Sequence, residues 1–297
     1  MKKIVIAGGT GFLGQALEKH FVLKGFKVDI LTRKPKKENH ILWDARSLGT
    51  WTGVLEEADI LINMAGKSVD CRYHEENRKA IIRSRVESTN VLTLAVEQTK
   101  NPPKLWINAS SATIYVHAET TLMTEKTGVI GDDFSMGVCK KWEAAFFEKP
   151  LASTRKVAFR TSIVLGNDGG ALPKMKQIAR LGLGGHQGRG NQKVSWIHLE
   201  DFCKVVDFVI ENESIEGAIN VTAPSPTNNK NLMQQIRKRV KMPFGLPQSR
   251  ALLEIGAWLI KTETELLLKS RNVYPERLLE AGFRFNYPKI ETAILSL

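Results

Sequence analysis

The sequence predicts an α/β fold, a doubly wound parallel sheet joined by a smaller, mainly helical C-terminal unit. The opening residues MKKIVIAGGTGFLG put an apolar strand (Lys3 to Ala7), a glycine turn and a helix start in one run. Short apolar strands then alternate with helical patterns through the first half, the order that a parallel sheet with crossover helices requires. At 297 residues the chain can bury one large core and carry a smaller appended unit.

The first turn indicates the chemistry. Gly8, Gly11 and Gly14 are spaced GxxGxxG and open an amphipathic helix, Phe12 to Lys24, with Leu13, Leu17, Phe21 and Leu23 expected to face inward. Backbone N–H groups at a helix start carry partial positive charge, and residues without Cβ let a pyrophosphate approach them. Gly8, Gly9, Thr10, Gly11, Phe12, Leu13 and Gly14 are therefore expected to cradle a dinucleotide in a Rossmann-type unit. Lys27 to Thr32 reads as the second strand, whose end meets the adenosine ribose. A carboxylate there would bind the 2′-hydroxyl of NAD, whereas Thr32, Arg33 and Lys34 suit a 2′-phosphate, so the expected cofactor is NADP(H). The competing acid, Asp29, lies inside the strand and is expected to face the sheet edge or solvent.

The alternation continues with a strand at Asp59 to Asn63, a long helix near Glu75 to Thr99 and a strand at Lys104 to Asn108. Asn101-Pro102-Pro103 ends the long helix, since proline disfavours helical geometry before it. A helix from about Ser135 to Phe147 leads to a strand at Lys156 to Thr161, and Val164-Leu165-Gly166 leaves the sheet. Asn167 to Gly190 holds seven glycines, which reads as mobile loops around a short helix at Leu172 to Leu181. A strand at Lys193 to Ile197, a helix at Glu200 to Glu211 and a strand at Ala218 to Val221 follow. From Ala223 the pattern is mostly helical. These divisions predict a dinucleotide-binding domain of residues 1–166 to which 191–222 return, and a smaller substrate-side domain formed by 167–190 and 223–297.

Composition sets further bounds. The formal charge of +12 raises nucleic acid as a partner, but the basic residues are spread along the chain without aromatic interleaving, so none is expected. No apolar run approaches the roughly 20 residues that cross a bilayer, and the amino-terminal segment reads as a strand rather than a leader, so no membrane partner is expected. Cys71, Cys139 and Cys203 are widely spaced, without a ligand cluster. This predicts reduced thiols, a cytoplasmic protein and no metal. A small-molecule substrate and a monomer or homodimer complete the expectation.

Several blocks in one order, GGTGFLG, LTRKP, ILWDA, INMAGKSV, IRSRVEST, CKKWEAA, FRTSIVLGNDGGALPKM, RLGLGG, VSWIHLED and YPERLLEAGFRFNYP, carry a family likeness. The chain resembles the extended short-chain dehydrogenase/reductase superfamily, and more narrowly the atypical "epimerase family" proteins that end in a small domain of unknown function. The resemblance implies that Asn63, Met64, Ala65 and Gly66 lie along the cofactor's ribose and phosphates, and that Asp44 approaches the adenine. It also implies that Arg85, where the superfamily usually has an asparagine, reaches the cofactor.

Catalysis in that superfamily uses a tyrosine as acid/base, a lysine four residues on, and a serine that binds the substrate oxygen. Ser111, in Ser110-Ser111-Ala112-Thr113-Ile114-Tyr115, matches the serine. Counting back from Trp142-Glu143, the lysine place falls on Cys139 and the tyrosine place on Ser135, and neither can do the usual job. A frame shifted by one gives Met136 and Lys140, but turns Lys140 about 100° off the face that points at the cleft. Cys139 beside a cation is a candidate reactive thiol, with a small apolar filler as the alternative. His198 in SWIHLED is a candidate acid/base or a packed histidine near Asp201. Trp196, Arg72, Tyr73 and Arg189 are further candidates, Arg189 for an anionic substrate group. Two functions follow: an NADP(H)-dependent oxidoreductase or epimerase-like enzyme acting on a small polar, sugar-nucleotide-like substrate, or an NADP(H)-responsive binding protein that has lost turnover.

Overall fold

The computed structural model describes residues 1–249, 253–254 and 268–297. Strand β1 (Lys3–Ala7) leads through the glycine turn into helix α1 (Phe12–Leu23), and β2 (Lys27–Thr32), β3 (His40–Leu42) and β4 (Ile60–Asn63) follow. Helix α2 (Glu75–Gln98), β5 (Leu105–Ser111), α3 (Phe134–Phe147) and β6 (Arg155–Thr161) come next. After β7 (Ile163–Leu165) and α4 (Leu172–Ile178) the chain forms β8 (Lys193–Val194), β9 (Trp196–His198), α5 (Leu199–Glu211) and β10 (Gly217–Val221). Strand β11 (Thr227–Asn228) and helices α6 (Asn229–Arg239), α7 (Glu276–Glu280) and α8 (Ile290–Ser296) end the described chain. The helical pattern expected for residues 255–267 lies outside the described residues.

Seven strands form one parallel sheet in the order β10-β6-β5-β4-β1-β2-β3. The order reverses between β1 and β4, so their carboxyl ends flank the crevice where ligands of open α/β sheets bind. Apolar side chains leave both faces. Ile4, Ile6, Ile30 and Ile62 pack under α1 and α5 with Leu17, Phe21, Phe202 and Val206, while Val5, Leu31, Leu61 and Trp106 pack under α2 and α3 with Leu92, Val96 and Phe146. Burial on both faces is why these strands read as continuous apolar runs.

Four local expectations are corrected. Leu23 is 79% exposed, because two residues beyond the buried Phe21 a helix has turned by about 200°. Asp29 is buried rather than at an edge, since β2 lies between β1 and β3, and it faces Lys3 Nζ at 3.8 Å. The strand expected at Lys193 to Ile197 is two strands: β8 pairs antiparallel with β11, and β9 pairs parallel with β7. Ser195 marks the change of partner, its hydroxyl donating to Arg271 O and accepting from Val273 N, each at 2.8 Å.

The expected short helix also ends early. After α4 the chain widens into a turn, Ala179–Leu183, that breaks at Gly182 with φ +77°.

Candidate functional site

Helix α1 starts on Gly11 with no side-chain cap and no acidic residue in its first turn, so its leading N–H groups have no carboxylate neighbour in that turn. The glycines divide the work. A Cβ on Gly8, whose φ is +71°, would lie 2.7 Å from Ala65 Cα, and one on Gly14 would lie 2.4 Å from Gly9 Cα, so these two close the turn and press helix on strand. A Cβ on Gly11 would meet nothing nearer than Gly8 O at 3.9 Å. The space over Gly11 is open, as a phosphate cradle requires. Phe12 closes its side of the turn by packing its ring against Gly166 and Gly169, where a Cβ would come within 2.8 and 2.7 Å of it.

At the end of β2, Thr32 is buried and its hydroxyl accepts from Lys34 N at 3.3 Å. Arg33 and Lys34 are exposed and lack a carboxylate partner among the described residues. Lys34 lines a cavity of about 800 Å³ with Thr10, Gln15, Thr32, Lys36 and His40. Lys36 and His40 escaped the sequence reading because β3 has only three residues, which placed its loop poorly. Asp44 is exposed and occupied: it accepts from Arg46 N and Ser47 N, at 2.9 and 3.0 Å, and from the Ser47 hydroxyl. The Ser47 bonds hold its carboxyl below the usual range.

Asn63 is fully buried. It donates to Asn108 Oδ1 at 2.8 Å and accepts from Ala65 N at 3.0 Å, so its side chain shapes the turn that carries Met64, Ala65 and Gly66. The Arg85 guanidinium from α2 seats against that turn, where a Cβ on Gly66 would lie 3.2 Å from its Cζ. It donates to Lys67 O and Ile81 O at 3.1 and 3.0 Å and lies 4.9 Å from the Trp142 ring centroid. Burial lowers its pKa.

Ser111 ends β5. Its hydroxyl donates to Thr113 Oγ1 at 3.0 Å and accepts from Thr113 N at 3.2 Å, capping the short turn Ala112–Ile114. Across it, α3 presents Ser135 and Cys139 one turn apart on the same face, 8% and 4% exposed. Burial pushes the Cys139 thiol up to about 12, against the pull of Arg85. Lys140 is exposed and pairs with Asp132, off the cleft as its helical position requires. The carboxylate of Glu143 is gripped by Arg160 of β6, with Nε to Oε1 at 2.9 Å and Nη2 to Oε2 at 2.8 Å, and by the Ser110 hydroxyl at 2.6 Å. Arg160 also donates to the Tyr115 hydroxyl, which donates to Asn220 Oδ1 of β10. This buried chain locks α3 to the ends of three strands. Its one visible signal was an arginine inside an apolar strand, KVAFRT.

His198 sits apart from this cluster as the N-cap of α5. Its Nδ1 accepts from Glu200 N at 3.1 Å, Nε2 meets Ser296 Oγ at 3.3 Å, and the ring packs on Tyr287 with centroids 3.9 Å apart. Trp196 is fully buried and donates to Ser225 O, and Arg189 is exposed, facing Glu119 at 3.9 Å. Tyr73 packs edge-on against Phe134 at the start of α3. Among the described residues no cluster of His, Cys, Asp and Glu could hold a metal, and no helix is long and apolar enough to cross a membrane.

A glycine turn opening an uncapped helix at the switch point of a seven-stranded parallel sheet defines a Rossmann-type nucleotide-binding protein of the short-chain dehydrogenase/reductase kind. Residues 4–132 match the NAD dependent epimerase/dehydratase family, and residues 250–297 match a domain of unknown function, DUF1731. The chain is 31% identical over 295 residues to epimerase family protein SDR39U1 of Homo sapiens, covering 98% of each, and 32% identical over 304 residues to epimerase family protein YfhF of Bacillus subtilis, covering 99% of this chain and 97% of that one. It is similar to the crystal structure of human SDR39U1 with NADPH, at a TM-score of 0.88 and 31% identity over 99% of this chain and 98% of that chain. The chain belongs to this epimerase family.

Proposed function

We propose that the protein binds NADP(H) and acts as an oxidoreductase or epimerase-like enzyme on a small polar substrate, with Ser111 as the group that binds the reacting oxygen. The observation that carries the reading is the uncapped start of α1, open over Gly11, with Arg33 and Lys34 just beyond the end of β2 and without carboxylate partners among the described residues. NADPH bound to the human relative supports it. In this reading Gly9 to Gly14 hold the pyrophosphate, Thr32, Arg33 and Lys34 hold the 2′-phosphate, and Met64 to Gly66 with Arg85 flank the nicotinamide half.

When bound, the cofactor supplies or accepts a hydride at its nicotinamide. Ser111 polarises the substrate oxygen by turning its hydroxyl from Thr113 Oγ1, and the Thr113 hydroxyl then restores a donor to Ser111. Ser135 and Cys139 do not move protons near neutrality. The first is an aliphatic alcohol and the second a thiol held protonated by burial. Arg85 supplies from α2 the fixed positive charge that α3 lacks.

Titration of both cofactors by tryptophan fluorescence tests the reading. NADPH is expected to bind roughly tenfold or more tightly than NADH, and Arg33→Asp to reverse the preference. Equal affinities in the unaltered protein refute the 2′-phosphate site. The unoccupied roles of Ser135 and Cys139 favour a second reading, a binding protein without turnover. It takes precedence if NADPH binds and a broad screen of carbonyl compounds gives no oxidation of it.

A further inference from the structure

Arg85 carries a charge that its protein neighbours do not neutralise. Only Nη1 of its guanidinium donates, to two carbonyl oxygens, and among the described residues no carboxylate lies within ion-pair distance of it. The titratable groups that face it are Cys139, Tyr73 and Cys71, none of them a carboxylate. Nε and Nη2 make no hydrogen bond with the described residues. A half-buried cation with two free donor nitrogens is a ready acceptor of an anionic ligand.

Two features of α3 and the C-terminal segment lie close to Cys139, the thiol that Arg85 also acts on. Ser135, more than nine-tenths buried, has an Oγ without any partner, on the helix face that Cys139 shares. Arg271 is a second cation that acts on Cys139. It also faces Asp133, whose carboxylate accepts from Lys269 and from Met136 N at 2.9 Å. The Glu143 carboxylate nearby is taken up by Arg160.

The cofactor does not account for this charge. Its pyrophosphate belongs over Gly11 and its 2′-phosphate at Arg33 and Lys34, whereas the nicotinamide riboside that would lie beside Gly66 carries no negative charge. We infer that Arg85, seated on the Gly66 turn, receives the carboxylate of a substrate on its Nε and Nη2, with the Ser135 hydroxyl of α3 as a further donor and Arg271 adding positive field. The inference rests on the NADP(H) reading of the site. The carboxylate is preferred to a phosphate because Nε and Nη2 form a planar two-pronged fork that matches two carboxylate oxygens, and one hydroxyl completes the donor set.

The test uses the full chain with and without saturating NADPH, titrated with acetate, pyruvate and succinate, with the amide of each, and with inorganic phosphate. Binding is read from the melting temperature and from NADPH fluorescence. The carboxylates are expected to stabilise the NADPH-loaded protein while their amides do not. Arg85→Gln should weaken the tightest carboxylate by roughly tenfold or more, the range for a hydrogen bond to a charged group, and Arg85→Lys should restore part of it. Ser135→Ala should weaken it severalfold with NADPH affinity unchanged, a readout independent of any change in the arginine's surroundings. Amides that bind as well as their acids overturn the inference, as does phosphate binding in the absence of any carboxylate effect, or a carboxylate effect insensitive to both substitutions. Absence of NADPH binding alongside a carboxylate effect that depends on Arg85 refutes the cofactor reading instead and leaves the anion site standing.

Discussion

Replacing Gly11 and Gly14 separately distinguishes a ligand cradle from a packing contact, because the two glycines have opposite surroundings. In Gly14→Ala the new Cβ would sit 2.4 Å from Gly9 Cα, backbone against backbone, so α1 must move off β1. Overpacking of this kind costs roughly 1–3 kcal/mol. With an unfolding entropy of about 2.1 cal/mol/K per residue, that is a fall in Tm of about 2–5 °C for a chain of this length. In Gly11→Val the nearest protein atom to the Cβ is 3.9 Å away, and the backbone there is extended at φ −80° and ψ 174°, which any residue adopts. Stability should therefore stay within about 0.5 kcal/mol of the parent. The valine branches instead fill the space assigned to the pyrophosphate. NADPH affinity should fall by about a hundredfold or more, or about 2.7 kcal/mol. Circular dichroism melts paired with calorimetric titration separate the two effects. A folded Gly11→Val protein that binds NADPH normally would refute the cradle, and an unchanged Tm in Gly14→Ala would refute the packing argument.

Three further outcomes follow from the same structure. With the Cys139 and Cys203 thiols pushed up to about 12, the thiolate fraction at pH 8 is about a thousandfold below that of an ordinary thiol, so iodoacetamide should label the half-buried Cys71 first; mass spectrometry showing Cys139 labelled as fast would restore it as a reactive group. Burial holds the His198 pKa below its usual 6.5, so its neutral ring contributes stability above that value that is lost as pH falls toward the folded pKa; His198→Asn, which keeps an α5 cap, should flatten the urea midpoint between pH 6.5 and 5, and an unchanged slope would count against the burial effect. Glu143→Gln leaves Arg160, whose side chain is 10% exposed, without its counter-charge and should cost about 3–5 kcal/mol in urea unfolding; a loss under 1 kcal/mol would show that the Tyr115 and Asn220 bonds suffice.

The sheet was legible because its determinants are local and doubled. Ile4, Ile6, Ile30 and Ile62 face one helical layer while Val5, Leu31 and Leu61 face the other, so each central strand reads as an unbroken apolar run. Leu23 misled because its hydrophobicity suits the inner face while its angular position does not. Asp29 misled for a different reason. Its burial depends on Lys3, 26 residues earlier, and on β2 lying inside the sheet, neither of which strand periodicity contains. The division at Ser195 was equally out of reach, since it is set by Arg271 and Val273 from a segment more than 70 residues away.

The same distinction explains how far the site could be read. The glycine turn is a matter of consecutive residues, so its strand-turn-helix form was legible in the local sequence. What α3 contributes is visible only as an absence, Ser135 and Cys139 where a phenol and an amine are expected. In the proposed reading the positive charge comes from elsewhere in the fold. Arg85 stands on α2, Arg271 in the C-terminal segment, and Glu143 is held by Arg160 from β6, so α3 is oriented by one cation while two others act on its Cys139. Losing a lysine from a helix does not remove positive charge from a cleft when the strands and helices around it can supply another. On the proposal above, that charge stands where the nearby carboxylate, Glu143, is already held by Arg160, so it is available to an anion brought by the second ligand.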